Sequence, residues 1–307
     1  MSESRLRRTL LMTPGNRPDR LRKAAGYAAD CLVFDLEDGV PPAAKAQARS
    51  CVAQALQDLA PGARERCVRI NSLESGFGAE DLASLPLALV DSIMVPKVES
   101  AAGLLEVQRQ LQALGCDRGR ARGLELVATL ETPRGILHAL AIAQACERTT
   151  ALFFGSGDYT AATGAAISDT TLLFPRSMVT AAAGAANIQA IDAAYFQDVR
   201  DAQGTRRDAQ AARELGFAGK VVFHPAQIAA VNQVFSPTPA EIDRAQRIVS
   251  AFNAASAQGH GTVLTDGVFV AIDLVVPAER LLRLAALVRS RAEPAPATAD
   301  STPQPRS

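Results

Sequence analysis

The chain has 307 residues, 48% of them hydrophobic, which suits one large globular domain or two small ones and excludes disorder as the main state. Its 32 Lys and Arg balance 32 Asp and Glu, so no global field draws it to nucleic acid or to an anionic membrane. Three His and five Cys, with no CxxC pair, argue against zinc or a disulfide framework; a divalent metal would need carboxylate ligands, which points to a hard ion such as Mg2+.

Residues 1–23 are basic, with Arg5, Arg7, Arg8, Arg17, Arg20, Arg22 and Lys23 against Glu3 and Asp19, a net charge of +5. The apolar run before Pro14 is too short for a signal-peptide core, and no later stretch approaches the roughly 20 residues that span a bilayer, so a cytoplasmic protein without a membrane partner is expected. Short apolar or β-branched runs then recur at 9–12, 31–36, 67–70, 92–95, 125–130, 151–154, 188–191 and 220–223, each separated by room for a helix. Continuous apolar runs suit strands buried on both faces of a parallel sheet.

The spacing of Leu104, Leu105, Val107, Leu111 and Leu114 predicts a helix after Ser100. Thr238, Pro239 and Glu241 supply an N-cap, an N1 proline and an N3 glutamate for another, and Pro277 is expected to open a last helix carrying Leu281, Leu284 and Val288. Eight strand-helix units in about 250 residues predict an α/β fold, a (β/α)8 TIM barrel with a C-terminal helical extension; a doubly wound sheet is the alternative. The expected organisation is a single barrel domain over 1–292, including an extension over about 239–292, followed by a disordered tail at 293–307 rich in Pro, Ala, Thr and Ser.

Active sites of such barrels lie at the C-terminal ends of the strands. There the sequence places Asp35, Glu37 and Asp38, then Arg69 and Asn71, Lys97 and Glu99, Glu131, Asp158, Asp192 and His224, with no comparable concentration expected at the opposite ends. Carboxylates converging on one mouth repel unless cations offset them. Arg69 and Lys97 offset part of that charge, and a magnesium ion on Glu131 and Asp158 would offset more. His224, at a helix start before Pro225, is read as structural.

The segments LLMTPGNRPDRLRKA, LVFDLEDGV, CVRIN, IMVPKVES, ATLETPRGI, FFGSGDYTAATG, FPRSMVTAAAGAANIQAID and GFAGKVVFHPAQIAAVNQVFSPTPAEIDRA follow one another in order. In these the chain resembles the citrate lyase β-subunit-like branch of the HpcH/HpaI aldolase superfamily over about residues 8–282. The resemblance implies a magnesium-dependent enzyme acting on coenzyme A thioesters of hydroxy acids, such as malyl-, citramalyl- or citryl-CoA. It also implies a homo-oligomer, with a trimer favoured, in which a C-terminal segment lies over a neighbour's active site. By motif position Glu131 and Asp158 match the metal ligands and Arg69 the substrate-binding arginine. The DLED motif puts Asp38 where the free-pyruvate aldolases carry a histidine base, which favours the thioester branch.

Cleaving a β-hydroxyacyl thioester requires removal of the hydroxyl proton and stabilisation of the departing enolate. Arg69 is assigned to the negative charge of substrate or enolate, with Asp38 catalytic and Glu37 and Asp38 orienting Arg69 or metal-bound water; strand-end capping and salt bridging at the mouth are the alternative for that pair. Glu131 and Lys97 are assigned to the substrate, Lys97 alternatively pairing with Glu131 or Asp158. Arg17 and Lys23, beside a helix begun by Pro18, are the candidates for the CoA phosphates, with a solvated basic face as the alternative.

Two departures from the family pattern stand out. Ala271 occupies the place of an aspartate in a C-terminal DG-x-M-x-D segment; in an extended backbone Asp273, two residues on, would face the same way and substitute as a catalytic group. Gly157 stands where FGxED members carry a glutamate. Three readings stay open: a CoA-ester lyase, a malyl-CoA thioesterase or malate-synthase-like enzyme, and a non-catalytic CoA-binding protein.

Overall fold

The computed structural model describes residues 5–59, 64–116 and 123–292. Eight strands carry the first part of the chain: β1 (Thr9–Pro14), β2 (Cys31–Asp35), β3 (Glu65–Arg69), β4 (Ser92–Val95), β5 (Glu125–Leu130), β6 (Thr149–Phe154), β7 (Gln189–Asp192) and β8 (Gly219–Val222). Each pairs in parallel with the next, and β8 returns to β1 through Thr9↔Lys220 and Leu10↔Val221. The sheet is a closed barrel, so the doubly wound alternative is excluded.

Side chains alternate along each strand. Leu32 and Phe34 of β2 point outward into the layer packed by helices, whereas Cys31 and Val33 point inward with Leu10, Cys67, Met94, Val127 and Val221. The barrel is therefore a filled core, and each fully buried Leu or Phe contributes about 1.5–3 kcal/mol relative to exposure. Helices form where expected after Ser100, whose side chain accepts from Gly103 N to cap Ala101–Ala113.

The described residues divide into two compact units, with the boundary between Phe235 and Ser236. The second contains helices Pro239–Ser256 and Ile272–Ala292, which pack on each other, and an antiparallel hairpin of β9 (Val263–Thr265) and β10 (Val268–Val270). Thr238 and Glu241 form the expected capping box: Thr238 Oγ1 accepts from Glu241 N, and Glu241 Oε2 accepts from Thr238 N. Asp266 and Gly267 link β9 to β10 with φ of 51° and 73°, the paired left-handed conformation of a tight hairpin turn.

Two expectations change here. The last helix begins at Ile272, and Pro277 lies inside it. Proline removes one N–H from the ladder but does not stop a helix whose neighbours pack. Asp273 consequently lies in the first helical turn, where two residues rotate a side chain by about 200°, so the extended geometry that would let it face as Ala271 does is absent. The tail at 293–307 lies outside the described residues. Among the described residues no helix is long and apolar enough to cross a membrane.

Candidate active site

The end of β2 organises the barrel mouth. Buried Asp35 accepts from Glu37 N (2.9 Å) and Gly39 N (2.9 Å), which folds the LEDG segment back over the strand end. The same carboxylate grips Arg69 of β3 in a bidentate pair, Nε to Oδ1 at 2.7 Å and Nη2 to Oδ2 at 2.8 Å. Arg69 Nη1 stands 2.9 Å from Glu37 Oε2 as an ion pair, yet that oxygen receives no hydrogen bond. Burial works against the guanidinium charge, but the Asp35 hydrogen bonds and the Asp35, Glu37 and Glu131 charges outweigh it, and the Arg69 pKa is raised. Arg69 is a permanent, immobile cation.

Lys97, after β4, adopts a left-handed backbone at φ 51°, which costs a β-substituted residue about 1 kcal/mol or more. That conformation aims its N–H at Glu131 Oε1, 2.8 Å away. Its ammonium lies 3.2 Å from Glu37 Oε1 and 3.8 Å from both Asp38 Oδ1 and Asp158 Oδ2, so of the two expected partners it faces Asp158, and it meets Glu131 only through the backbone. Gly155 closes the other side of Glu131: a Cβ there would stand 2.5 Å from the Glu131 Cβ and 2.8 Å from Oε2. Burial, then the Glu37 charge, push the Glu131 carboxyl up to about 8, against the opposing Lys97 N–H and Arg69 charge. Burial also raises Glu37.

Asp158 sits in the first turn of helix Ser156–Thr163, and its Oδ2 is buried with no hydrogen-bond partner. Five carboxyl groups, on Asp35, Glu37, Asp38, Glu131 and Asp158, thus gather around two cations, Arg69 and Lys97. A cavity of about 430 Å³ opens on them. Asp38, Arg69, Glu131 and Asp158 line one part of it, with Gly155, Ser156 and Gly157 next to Glu131 and Asp158; Met12, Phe153, Ala193, Ala194, Phe196 and Phe223 line the rest.

Not every strand-end residue converges. Asp192 faces outward from β7 and is locked beneath the helices by Arg176 and Lys220, which both also bind Asp208. Asn71 turns to Lys45 and Asp81, and exposed Glu99 faces Arg134. His224 Nδ1 accepts from Ala226 N as a helix cap, the structural role expected of it. Arg17 pairs with exposed Asp19, and Arg17 and Lys23 are exposed and outside the cavity wall. Asp273 belongs to the second unit.

Sequence reasoning missed Gln227. Its Oε1 accepts from Phe223 N and His224 N, and its Nε2 donates to Tyr195 O at 2.6 Å, tying together the two loops that carry Phe196 and Phe223. The signal was a glutamine at N3 of the helix opened by Pro225.

It also missed the far end of the barrel, where little charge was expected. Arg7, 1% exposed, donates to Glu65 Oε1 and Oε2 at 2.7 Å and to Glu125 Oε2 at 2.6 Å. Arg5 pairs with Glu125 and Asp91, Arg8 with Asp30 and Arg66 with Asp91. These residues precede or open the strands, so looking only beyond each apolar run passes over them.

Comparison with known proteins agrees with this architecture. The HpcH/HpaI aldolase/citrate lyase family model matches residues 8–225. The chain belongs to this family. It is an enzyme, and relatives in the family carry the names of lyases. It is 36% identical to the citrate lyase subunit beta of Leuconostoc mesenteroides subsp. cremoris over 288 residues, 93% of this chain and 95% of that one. It is 34% identical to the mitochondrial citramalyl-CoA lyase of Rattus norvegicus over 300 residues, 93% of this chain and 88% of that one. Among solved structures, the family protein CitE from Mycobacterium tuberculosis, in complex with magnesium, acetoacetate and coenzyme A, superposes with a TM-score of 0.72 at 31% identity, covering 93% of this chain and 99% of that one.

Proposed function

We propose that this enzyme is a magnesium-dependent carbon-carbon lyase that splits a β-hydroxyacyl-CoA of the citramalyl, malyl or citryl type into acetyl-CoA and a keto acid. The observation that carries the reading is Asp158 Oδ2 beside Glu131, buried without a hydrogen bond and met only by the Lys97 ammonium at 3.8 Å, where carboxylates outnumber cations. An all-oxygen donor pair fits a hard divalent ion. Two carboxylates would leave coordination positions for water and substrate oxygens. The CitE relative holds magnesium and coenzyme A, and the named relatives are a citrate lyase subunit beta and a citramalyl-CoA lyase.

Magnesium bound there would polarise the hydroxyl and carboxylate oxygens of the substrate. Glu131 and Asp158 would hold the ion, and the Lys97 N–H fixes the orientation of the Glu131 carboxylate. Asp38, exposed on the cavity wall, takes the hydroxyl proton. The carbon-carbon bond then breaks to give the keto acid and a thioester enolate, whose charge faces Arg69. Delivery of a proton to the enolate carbon, matched by loss of the hydroxyl proton from Asp38, completes acetyl-CoA and resets the base. A fixed donor at such a charge is worth about 3 kcal/mol, and Asp35 and Glu37 supply the rigidity that makes Arg69 one. Arg17 and Lys23 are assigned to the phosphates of coenzyme A.

The reading includes a cytoplasmic homo-oligomer, with a trimer favoured. All five cysteines are free, as a reducing compartment keeps them. Exposed Leu137, Leu140 and Leu173 lie on helices that pack together, an apolar face suited to a subunit contact. Light scattering on the purified chain checks the assembly.

One assay tests the activity: incubation with citramalyl-, malyl- and citryl-CoA plus magnesium, with products identified by mass spectrometry. Acetyl-CoA with a keto acid supports a lyase, free CoA with the hydroxy acid identifies a thioesterase, and binding without turnover identifies a non-catalytic protein. In the same assay Asp273→Asn tests the aspartate of the second unit. A loss of turnover at unchanged magnesium affinity assigns Asp273 the proton returned to the enolate, and full activity removes it.

A further inference from the structure

The cavity is chemically two-sided, and its apolar side bears on the acyl group. The inference rests on the lyase reading above. The hydroxyl-bearing carbon of such a thioester carries four groups: the hydroxyl, a carboxylate, the arm that leads to CoA, and one variable substituent. Coenzyme A is far too large for about 430 Å³, so its arm must leave through the mouth. The hydroxyl and the carboxylate are drawn to the wall of Arg69, Glu131 and Asp158, where charge is available. The variable substituent is left facing the other wall. There Met12 and Phe153 belong to the barrel's apolar interior, Ala194 is buried beside them, and Phe196 and Phe223 flank the opening.

The side chains of that wall offer a negative charge no partner, and the Ser156 hydroxyl that also lines the cavity stands next to Asp158 on the charged side. Arg69 is the one cation lining the cavity among the described residues, and its guanidinium is already gripped by Asp35 and ion-paired with Glu37. The Lys97 ammonium stands among Glu37, Asp38 and Asp158, on the charged side. A second carboxylate placed against the apolar wall would lose its water with nothing in return.

We infer that the enzyme selects thioesters whose variable substituent is methyl or hydrogen and rejects carboxymethyl, which makes citramalyl-CoA and malyl-CoA substrates and citryl-CoA a poor one. Phe153, Phe196 and Phe223 are then specificity-determining residues. Burial of the methyl group favours citramalyl- over malyl-CoA by about fourfold. The desolvated carboxylate disfavours citryl-CoA by at least about a hundredfold.

The test compares kcat/KM for the three thioesters at saturating magnesium, with the full chain. In parallel, saturation-transfer NMR compares pyruvate and oxaloacetate binding in the presence of magnesium and coenzyme A, which needs no turnover. The expected results are the order citramalyl, malyl, citryl and a preference for pyruvate of at least about tenfold. Phe196→Arg and Phe223→Arg, both at solvent-exposed positions that tolerate a charge, provide the converse: at least one raises the citryl-to-citramalyl ratio about tenfold or more. Citryl-CoA turned over within tenfold of citramalyl-CoA, oxaloacetate bound as tightly as pyruvate, or a ratio unmoved in both arginine variants overturns the inference. No turnover of any thioester with pyruvate still preferred overturns the lyase reading and leaves the selectivity standing; no turnover and no preference overturns both.

Discussion

Glu65 and Glu131 are equally buried inside the same barrel, at opposite ends, and their carboxyl groups behave in opposite ways. At the N-terminal end, burial would raise Glu65, but the Arg7 charge and hydrogen bonds, Ser92 and Arg5 reverse it, and the pKa falls below the ordinary value. At the C-terminal end burial raises Glu131, the Glu37 charge adds to it, and one backbone N–H with the Arg69 charge fails to compensate, so the pKa is pushed up to about 8. The first end is a plug in which Arg5, Arg7, Arg8 and Arg66 match Asp30, Glu65, Asp91 and Glu125. The second has more acids than bases. Charge balance therefore separates the end that holds the fold from the end proposed to bind substrate.

Cutting the plug has the largest effect on stability. Arg7→Met leaves Glu65 and Glu125 buried without their shared cation and lowers unfolding free energy by about 3–5 kcal/mol, measured by urea denaturation, while kcat of the folded fraction is unchanged. Glu131→Gln does the reverse: at pH 7 its thermal midpoint without magnesium is at or above that of wild type, while turnover in the lyase assay drops about a hundred- to a thousandfold.

The two ends also differ in the sign of their pH dependence. Glu131 keeps its proton in the folded, magnesium-free protein up to about pH 8, whereas an unfolded glutamate releases it near pH 4.3. Stability from this group falls as pH rises between those values and levels off above. The wild-type midpoint should therefore drop relative to Glu131→Gln from pH 5 to 8, and magnesium should flatten the difference. Magnesium affinity, read by calorimetry, should rise with pH by up to about tenfold per unit below pH 8, because a proton must leave. Glu65, with its lowered pKa, stabilises the fold at all pH above the unfolded value, and that contribution is lost as pH falls below about 4. The smallest effect is expected at the rim: Arg17→Ala combined with Lys23→Ala raises KM for a CoA thioester a few-fold at unchanged kcat, and added salt shrinks the difference.

The strands were legible because each must be apolar on both faces, and the runs at 92–95 and 125–130 coincide with β4 and β5. The carboxylates of the mouth were legible because they directly follow those runs. Asp192 was misplaced at the mouth because one residue of register decides whether a side chain at a strand end faces inward or outward, and β7 turns it outward to Lys220. Arg7 was passed over because its partners are 58 and 118 residues away. Asp273 was read as extended because Pro277 resembles a helix start, and packing against Pro239–Ser256 carries the helix through it.

By itself the sequence determined the strand count, the (β/α)8 class, the family and the residues at the mouth, since these depend on local periodicity and on motifs whose members are close along the chain. Only the tertiary structure decided which of those residues are satisfied and which are not. Pairing between buried charges is set by distances of a few ångströms across strands far apart in sequence. That is why Glu65 and Glu131, alike in the sequence, carry opposite pKa shifts in the folded protein.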